Sequence, residues 1–219
     1  MQRKRVRGVI FGPQGCGKGT QGQLLTDRFD IPFIGSGDLF RQEIQEKTEL
    51  GGLMKSYVEH GMLAPDELVN AVMMKRLKEE ETEKGFLLDG YPRNVEQATA
   101  LDRYLKVNIA IQIKISDREA IRRLVGRRQC AVCRAIFHVL AAPSALGERC
   151  SLCGGKIVKR ADDTEAVIRT RLLEYRFMTE PLAAYYRQRG VLLAVNGEQP
   201  ISFLFEELIK KMTKLGFVA

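Results

Sequence analysis

Residues 12–20 read GPQGCGKGT, between the apolar run Val9, Ile10, Phe11 and the residues Gln23, Leu24 and Leu25. A strand, a glycine-rich turn and a helix start therefore follow one another. Gly12, Gly15, Gly17 and Gly19 free the backbone to turn with positive φ and to bring bare N–H groups onto anionic oxygens. Lys18 adds a mobile positive charge, and the helix that follows aims the positive end of its dipole at the same point. Such a segment is a phosphate cradle. The general pattern GxxxxGK[ST] is not fully met, because Gly19 follows Lys18 and the hydroxyl of Thr20 comes one place later.

With 219 residues, 45% of them apolar, the chain can bury a substantial core in one or two domains. No apolar stretch approaches the roughly 20 residues of a membrane span. The basic start Arg3, Lys4, Arg5 precedes too short an apolar run for a secretory signal, so the expected compartment is the cytoplasm. A formal charge of +8 favours an anionic partner. Nucleic acid, an acidic membrane surface and small polyphosphates all satisfy it.

Four of the five cysteines form two pairs, Cys130 with Cys133 and Cys150 with Cys153, spaced Cx2C-x16-Cx2C. That spacing falls in the window for a four-thiolate zinc site. Disulfides are the competing reading, disfavoured by a reducing compartment and by the tight pairing. Four sulfur ligands leave no position for water or substrate, so the metal would be structural. Cys16 lies inside the phosphate loop, where Lys18 and the helix N-terminus would lower its pKa, although packing is its expected role.

The apolar runs 6–11, 85–88, 108–115 and 191–195 read as strands buried in a parallel sheet. Between them stand helical patterns: Leu68, Val69, Val72, Met73 and Leu77 after Pro65, with Asp66 and Glu67 suiting the first turn, and a stretch over 164–189 interrupted at Pro181. The alternation predicts an α/β fold, a doubly wound parallel sheet of about five strands. Ligands of such sheets gather at the carboxyl ends of strands, where Gly12 and Asp89 fall. Two excursions, 36–64 and 126–163, break the rhythm, and neither has the apolar residues for a core of its own; the second would draw stability from metal.

Asp89 closes the run Phe86, Leu87, Leu88 and would hold Mg²⁺, through water. Arg123 and Arg127 stand four apart in a predicted helix, where two like charges repel by roughly 0.2–0.5 kcal/mol and an anion between them would relieve the strain. Arg41, Arg93, Arg160 and Arg171 flank the two excursions. Phosphoryl transfer asks for positioned cations more than for covalent chemistry, and many arginines without a general base suit that demand.

The motifs GPQGCGKGT at 12–20, GSGDLFR at 35–41, GFLLDGYPRNVEQ at 85–97, RLVGRR at 123–128, both cysteine pairs and RADDTEAVIRTRLLEY at 160–175 resemble those of the adenylate kinases of the long bacterial type with a zinc-binding lid. The loop variant GxxGxGKGT is that of nucleoside monophosphate kinases. The resemblance runs essentially end to end. It implies the reaction Mg·ATP + AMP ⇌ 2 ADP, a core of residues 1–35, 65–125 and 164–219, an AMP-binding domain over 36–64 and a mobile zinc lid over 126–163. It implies further that Gly15, Cys16, Gly17, Lys18, Gly19 and Thr20 wrap the ATP phosphates, with Arg123 and Arg127 gripping them from the lid side. Ile136, Phe137 and the backbone near Gln199 would meet the adenosine end of ATP.

On the acceptor side the same resemblance assigns AMP to Ser36, Arg41, Met62, Leu63, Ala64, Gly90, Tyr91, Pro92, Arg93 and Gln97, with Arg160 and Arg171 bridging the two nucleotides. Lys18, Asp89, Arg93, Arg123, Arg127, Arg160 and Arg171 would carry the chemistry. Cys130, Cys133, Cys150 and Cys153 would hold Zn²⁺. The implied partners are ATP, AMP and ADP, with neither nucleic acid nor membrane, and the implied state is a monomer. Ser36 stands where threonine is usual and Phe137 where tyrosine is, while Asn94 follows Pro92 and Arg93 as in pyrimidine monophosphate kinases. A UMP/CMP or GMP kinase of the same fold therefore stays open, as does a nucleic-acid-dependent ATPase with a zinc ribbon.

Overall fold

Strands that bury both faces read as near-continuous apolar runs, and those of the central sheet do, with polar residues chiefly at their ends and Gln112 buried within the fourth. In the computed structural model, which describes residues 4–59, 64–133, 135–140, 143–159 and 163–218, the chain opens with β1 (Arg7–Phe11), α1 (Lys18–Phe29) and β2 (Phe33–Gly35). The helices α2 (Ser36–Gln45), α3 (Glu49–Glu59) and α4 (Asp66–Arg76) follow, then β3 (Phe86–Asp89), α5 (Val95–Tyr104), β4 (Ile109–Lys114) and α6 (Asp117–Val125). Three short strands come next, β5 (Arg127–Cys130), β6 (Ile136–His138) and β7 (Ile157–Val158). The chain ends in α7 (Glu165–Glu174), α8 (Leu182–Gln188), β8 (Leu192–Asn196) and α9 (Ile201–Lys214).

The main sheet has five parallel strands in the order β2-β3-β1-β4-β8. Alternate residues supply two separate apolar layers. Val9, Phe11, Phe86 and Leu88 face α4, α5 and α8, packing with Val69, Met73, Leu101, Leu182 and Tyr186. Ile10, Leu87, Ile111 and Ile113 pack on the other face with Leu25 of α1 and Leu204, Leu208 and Met212 of α9. Each fully buried Leu, Ile or Phe contributes about 1.5–3 kcal/mol, so helices on both faces follow from the pattern, as the doubly wound expectation requires. The helix pattern over 164–189 resolves into α7, a π-helical turn at Tyr175–Thr179 and α8.

Ile10 of β1 pairs with Asp89 of β3, and Asp89 pairs in turn with Gly35 of β2, so three carboxyl ends lie side by side. The three-residue strand β2 carried no legible pattern of its own. It is held by α1, whose Gly22 leaves room for the Phe33 ring: a Cβ there would lie 2.3 Å from it. The second sheet is small and antiparallel, in the order β6-β5-β7, and carries the first cysteine pair at the end of β5.

One expected element is corrected. The helix predicted to carry both Arg123 and Arg127 ends at Val125, with Gly126 as its cap, and Arg127 opens β5 opposite His138. The two arginines therefore do not share a helix face. Among the described residues no helix is long and apolar enough to cross a membrane.

Candidate active site

The phosphate loop joins β1 to α1 in a left-handed backbone that glycine supplies: Gly15 has φ 82° and Gly17 φ 96°. The loop also needs Gly12, where a Cβ would stand 2.3 Å from the Ile113 carbonyl oxygen. Gly17 caps α1 without a side chain, and no acidic residue enters the first turn, so the free N–H groups and the positive dipole end are left for an anion. Lys18 Nζ donates to the carbonyl oxygens of Gly12 (2.9 Å) and Pro13 (3.2 Å), arching back over the loop. Gly19 and Thr20 are exposed. Cys16 is buried, and burial raises its pKa although Lys18 opposes the shift. The expected lowering is thus overturned: desolvation of the thiolate outweighs the neighbouring charge.

Asp89, at the end of β3, is likewise pushed up by burial, while the charges of Lys18 and then Arg93 pull it down. A carboxylate in that position needs cations to stay ionised, which suits a ligand of Mg²⁺ beside a polyphosphate.

Arg123, on α6, ties three pieces together. Its guanidinium donates to Glu119 (2.6 Å), to the Gly197 carbonyl (2.8 Å) and more weakly to the Gly15 carbonyl (3.4 Å). Arg127 makes a bidentate pair with Asp163, at 2.8 and 2.6 Å, and the Asp163 side chain is wholly buried. Carboxylates, then, relieve both charges. Neither Glu119 nor Asp163 was singled out in the sequence. The i, i+3 and i, i+4 spacing of Glu119 to Arg122 and Arg123 was a usable signal; Asp163 gave none.

Glu119 accepts from Arg122 at 2.7 and 2.6 Å as well as from Arg123, and these bonds, Arg122's foremost, hold its pKa down to about 2 from an ordinary 4.5. A depressed carboxylate contributes stability above its unfolded pKa and loses it as pH falls through the folded one. Glu119→Gln is therefore expected to flatten the acid limb of stability between pH 4.5 and about 2, measured by denaturant unfolding across pH. Parallel acid limbs in variant and parent would refute the assignment.

On the other side of Asp89, the Ser36 hydroxyl donates to the Gly90 carbonyl (2.9 Å), and Arg93 Nε donates to the same oxygen (2.9 Å). Burial pulls the Arg93 pKa down, the charges of Asp89 and Glu174 oppose the shift, and that of Arg171 adds to it. Arg41 is exposed on α2 and pairs with Asp38. Tyr91 is buried, its hydroxyl donating to Asn70 (2.7 Å), and Pro92 is buried beside it, so the loop presents backbone here. Gln97 is buried and held by Asp66 and the Arg93 N–H, two partners the sequence did not reveal. Asn94 caps α5, which accounts for its presence after Arg93. Ala64 packs against the core.

Ile136 is exposed and Phe137 half-buried on β6, while Gln199 donates to the Asn196 carbonyl (3.0 Å) and to Glu207 (2.5 Å). Met62, Leu63 and Arg160 lie outside the described residues.

The sulfurs of Cys130, Cys133, Cys150 and Cys153 all lie within 4.8 Å of one another, with Cys130 to Cys153 and Cys133 to Cys150 at 3.5 Å. Disulfides bond at about 2.05 Å, so these are free thiols. A zinc tetrahedron with bonds near 2.3 Å has edges of about 3.8 Å, and the donor set fits it. The two turns repeat one device: Val132 N–H donates to Cys130 Sγ and Leu152 N–H to Cys150 Sγ, each at 3.4 Å.

The family model described as adenylate kinase matches residues 10–191. The chain is 41% identical over 212 residues to an adenylate kinase of Caldanaerobacter subterraneus subsp. tengcongensis, covering 94% of this chain and 96% of the relative. It is 40% identical over 217 residues to the adenylate kinase of Thermoanaerobacter pseudethanolicus, covering 96% and 100%, and 40% identical over 205 residues to that of Clostridium botulinum strain Langeland, covering 91% and 95%. Because the matches span the phosphate loop, the cysteine sheet and the loop after β3 rather than the phosphate loop alone, the chain belongs to the adenylate kinase family.

Proposed function

We propose that the chain catalyses reversible phosphoryl transfer from Mg·ATP to AMP, giving two ADP, with the roles of its residues divided across the three aligned strand ends. The observation that carries this reading is the juxtaposition of the loop after β1 with Asp89 at the end of β3, where the charges of Lys18 and Arg93 act on that carboxylate. Donor phosphates rest on the N–H groups from Gly15 to Thr20, and Lys18 leaves its carbonyl partners to follow the transferred group. Asp89 would hold Mg²⁺, which when bound neutralises phosphate oxygens. Arg123 reaches the donor from α6 and Arg127 from β5; Ile136, Phe137 and the backbone at Gln199 flank the donor base. The acceptor phosphate meets Arg41 and Arg93, Gln97 and Ser36 read its base with Met62 to Ala64, and Arg160 and Arg171 bridge the two nucleotides.

Residues 36–64 form the acceptor-binding domain and 126–163 a lid on the remaining core. Closure matters because water competes with AMP for the phosphoryl group. Cys130, Cys133, Cys150 and Cys153 would hold Zn²⁺ with no open position, so the metal fixes the shape of the lid and takes no part in transfer. The enzyme works as a cytoplasmic monomer without nucleic acid; the cleft cations Lys18, Arg93 and Arg123 give the basic charge a nucleotide to serve.

A coupled assay of ADP formation with Mg·ATP and AMP, UMP, CMP or GMP tests the reading. AMP is expected to be the best acceptor. Absence of ADP formation from AMP would overturn it, and a pyrimidine preference would move the chain to another acceptor.

A further inference from the structure

Asp66 sits in the first turn of α4, where its charge suits the helix dipole. It does more than that. One carboxylate oxygen accepts from Gln97 Nε2 at 2.6 Å and the other from Asn94 Nδ2 at 2.8 Å. Gln97 Oε1 in turn accepts from the backbone N–H of Arg93 at 2.7 Å, and the Gln97 N–H donates to Asn94 Oδ1 at 2.7 Å. Gln97 is 3% exposed, and its amide is bonded at both ends.

The two ends of a glutamine amide are nearly equal in shape and opposite in hydrogen bonding. A carboxylate only accepts and a backbone N–H only donates. Turning the amide by half a revolution would therefore set Oε1 against the Asp66 carboxylate and Nε2 against the Arg93 N–H, two repulsions in place of two bonds. With those bonds made, Gln97 keeps one N–H and one lone pair in a fixed order. The edge of adenine offers an acceptor at N1 and a donor at the 6-amino group; a 6-oxopurine offers a donor at N1 and an acceptor at O6. One amide orientation matches the first, and the flipped amide matches the second.

We propose that Asp66 is a positioning residue that sets base selectivity by locking the orientation of the Gln97 amide, so that the acceptor site takes a 6-aminopurine and rejects a 6-oxopurine. The inference rests on the assignment of Gln97 to the acceptor base. Asp66 itself touches no substrate. Its partners are 28 and 31 residues away in sequence, which joins the start of α4 to the start of α5.

Asp66→Asn tests it, because an asparagine amide matches either orientation of Gln97 at almost unchanged volume. The readout is kcat/KM for AMP and for inosine monophosphate, with KM for ATP and thermal unfolding beside them. The expected result is a rise of about tenfold or more in the ratio of inosine monophosphate to AMP, as hydrogen-bond discrimination is relaxed, with KM for ATP within about twofold of the parent. Proportionate loss on both monophosphates, or an unchanged ratio, would overturn the proposal. If Asp66→Asn does not fold, Asp66→Ser removes the accept-only carboxylate and leaves a short hydroxyl that both donates and accepts. It is expected to move the ratio in the same direction by a smaller factor, and an unchanged ratio there also overturns it. Parent protein that fails to phosphorylate AMP would refute the assignment of function instead.

Discussion

Lys18→Ala is expected to lower kcat by about 10²–10³-fold, the loss that follows removal of one preorganised cationic or donor group from a transferring centre, while leaving the fold in place. The reason for the asymmetry is local. Lys18 is half-exposed, its Nζ bonds are to the carbonyls of Gly12 and Pro13, and among the described residues it forms no ion pair. Water can replace the ammonium at those oxygens, so the expected change in stability stays within about 1 kcal/mol. The loop conformation does not depend on it either, being set by Gly15 and Gly17 and by the tight fit of Gly12 under Ile113. Lys18→Arg is expected to rescue little, because a planar fork on a different stem does not track a moving phosphoryl group as a compact ammonium does. Single-turnover rates beside thermal unfolding check both variants. A kcat within tenfold of the parent for Lys18→Ala would remove Lys18 from the transfer step.

What the sequence revealed and what it hid divide along the range of the forces. Buried strands such as Phe86–Asp89 open on successive apolar residues whatever surrounds them, so their existence was legible locally. The phosphate loop was legible for the same reason, since its glycines answer a backbone demand within nine residues. Arg127 was not: the basic run continues past Gly126, and pairing with residues 136–138 on one side and 157–158 on the other turns the chain into a strand. Asp163 and Asp66 act across 36 and 31 residues, on Arg127 and Gln97, and no spacing rule covers such distances. Cys16 shows the converse error. Its neighbours in sequence argue for a lowered pKa, but its neighbours in space, which bury it completely, decide the sign.

Cys130→Ser is expected to separate stability from catalysis. The β5 strand carries Arg127 at one end and Cys130 at the other, so one short element joins a proposed substrate contact to a proposed metal ligand. Zinc binding at such sites is folding free energy, of order 10–16 kcal/mol in isolated motifs. If about 3–5 kcal/mol of that reaches the global transition, Tm falls on the order of 10 °C, taking about 2–4 °C per kcal/mol at this chain length. Near 10 °C, however, the Arg127 end of the strand stays held by its bidentate pair with buried Asp163 and by pairing with β6. Turnover there is expected to remain within about threefold of the parent. Metal analysis should show loss of about one equivalent, and a chelator should reproduce the Tm shift in the parent but not add to it in the variant. A variant that loses kcat at low temperature as steeply as it loses Tm would mean that the metal acts on the chemistry, and Arg127 would then depend on Cys130 rather than on Asp163.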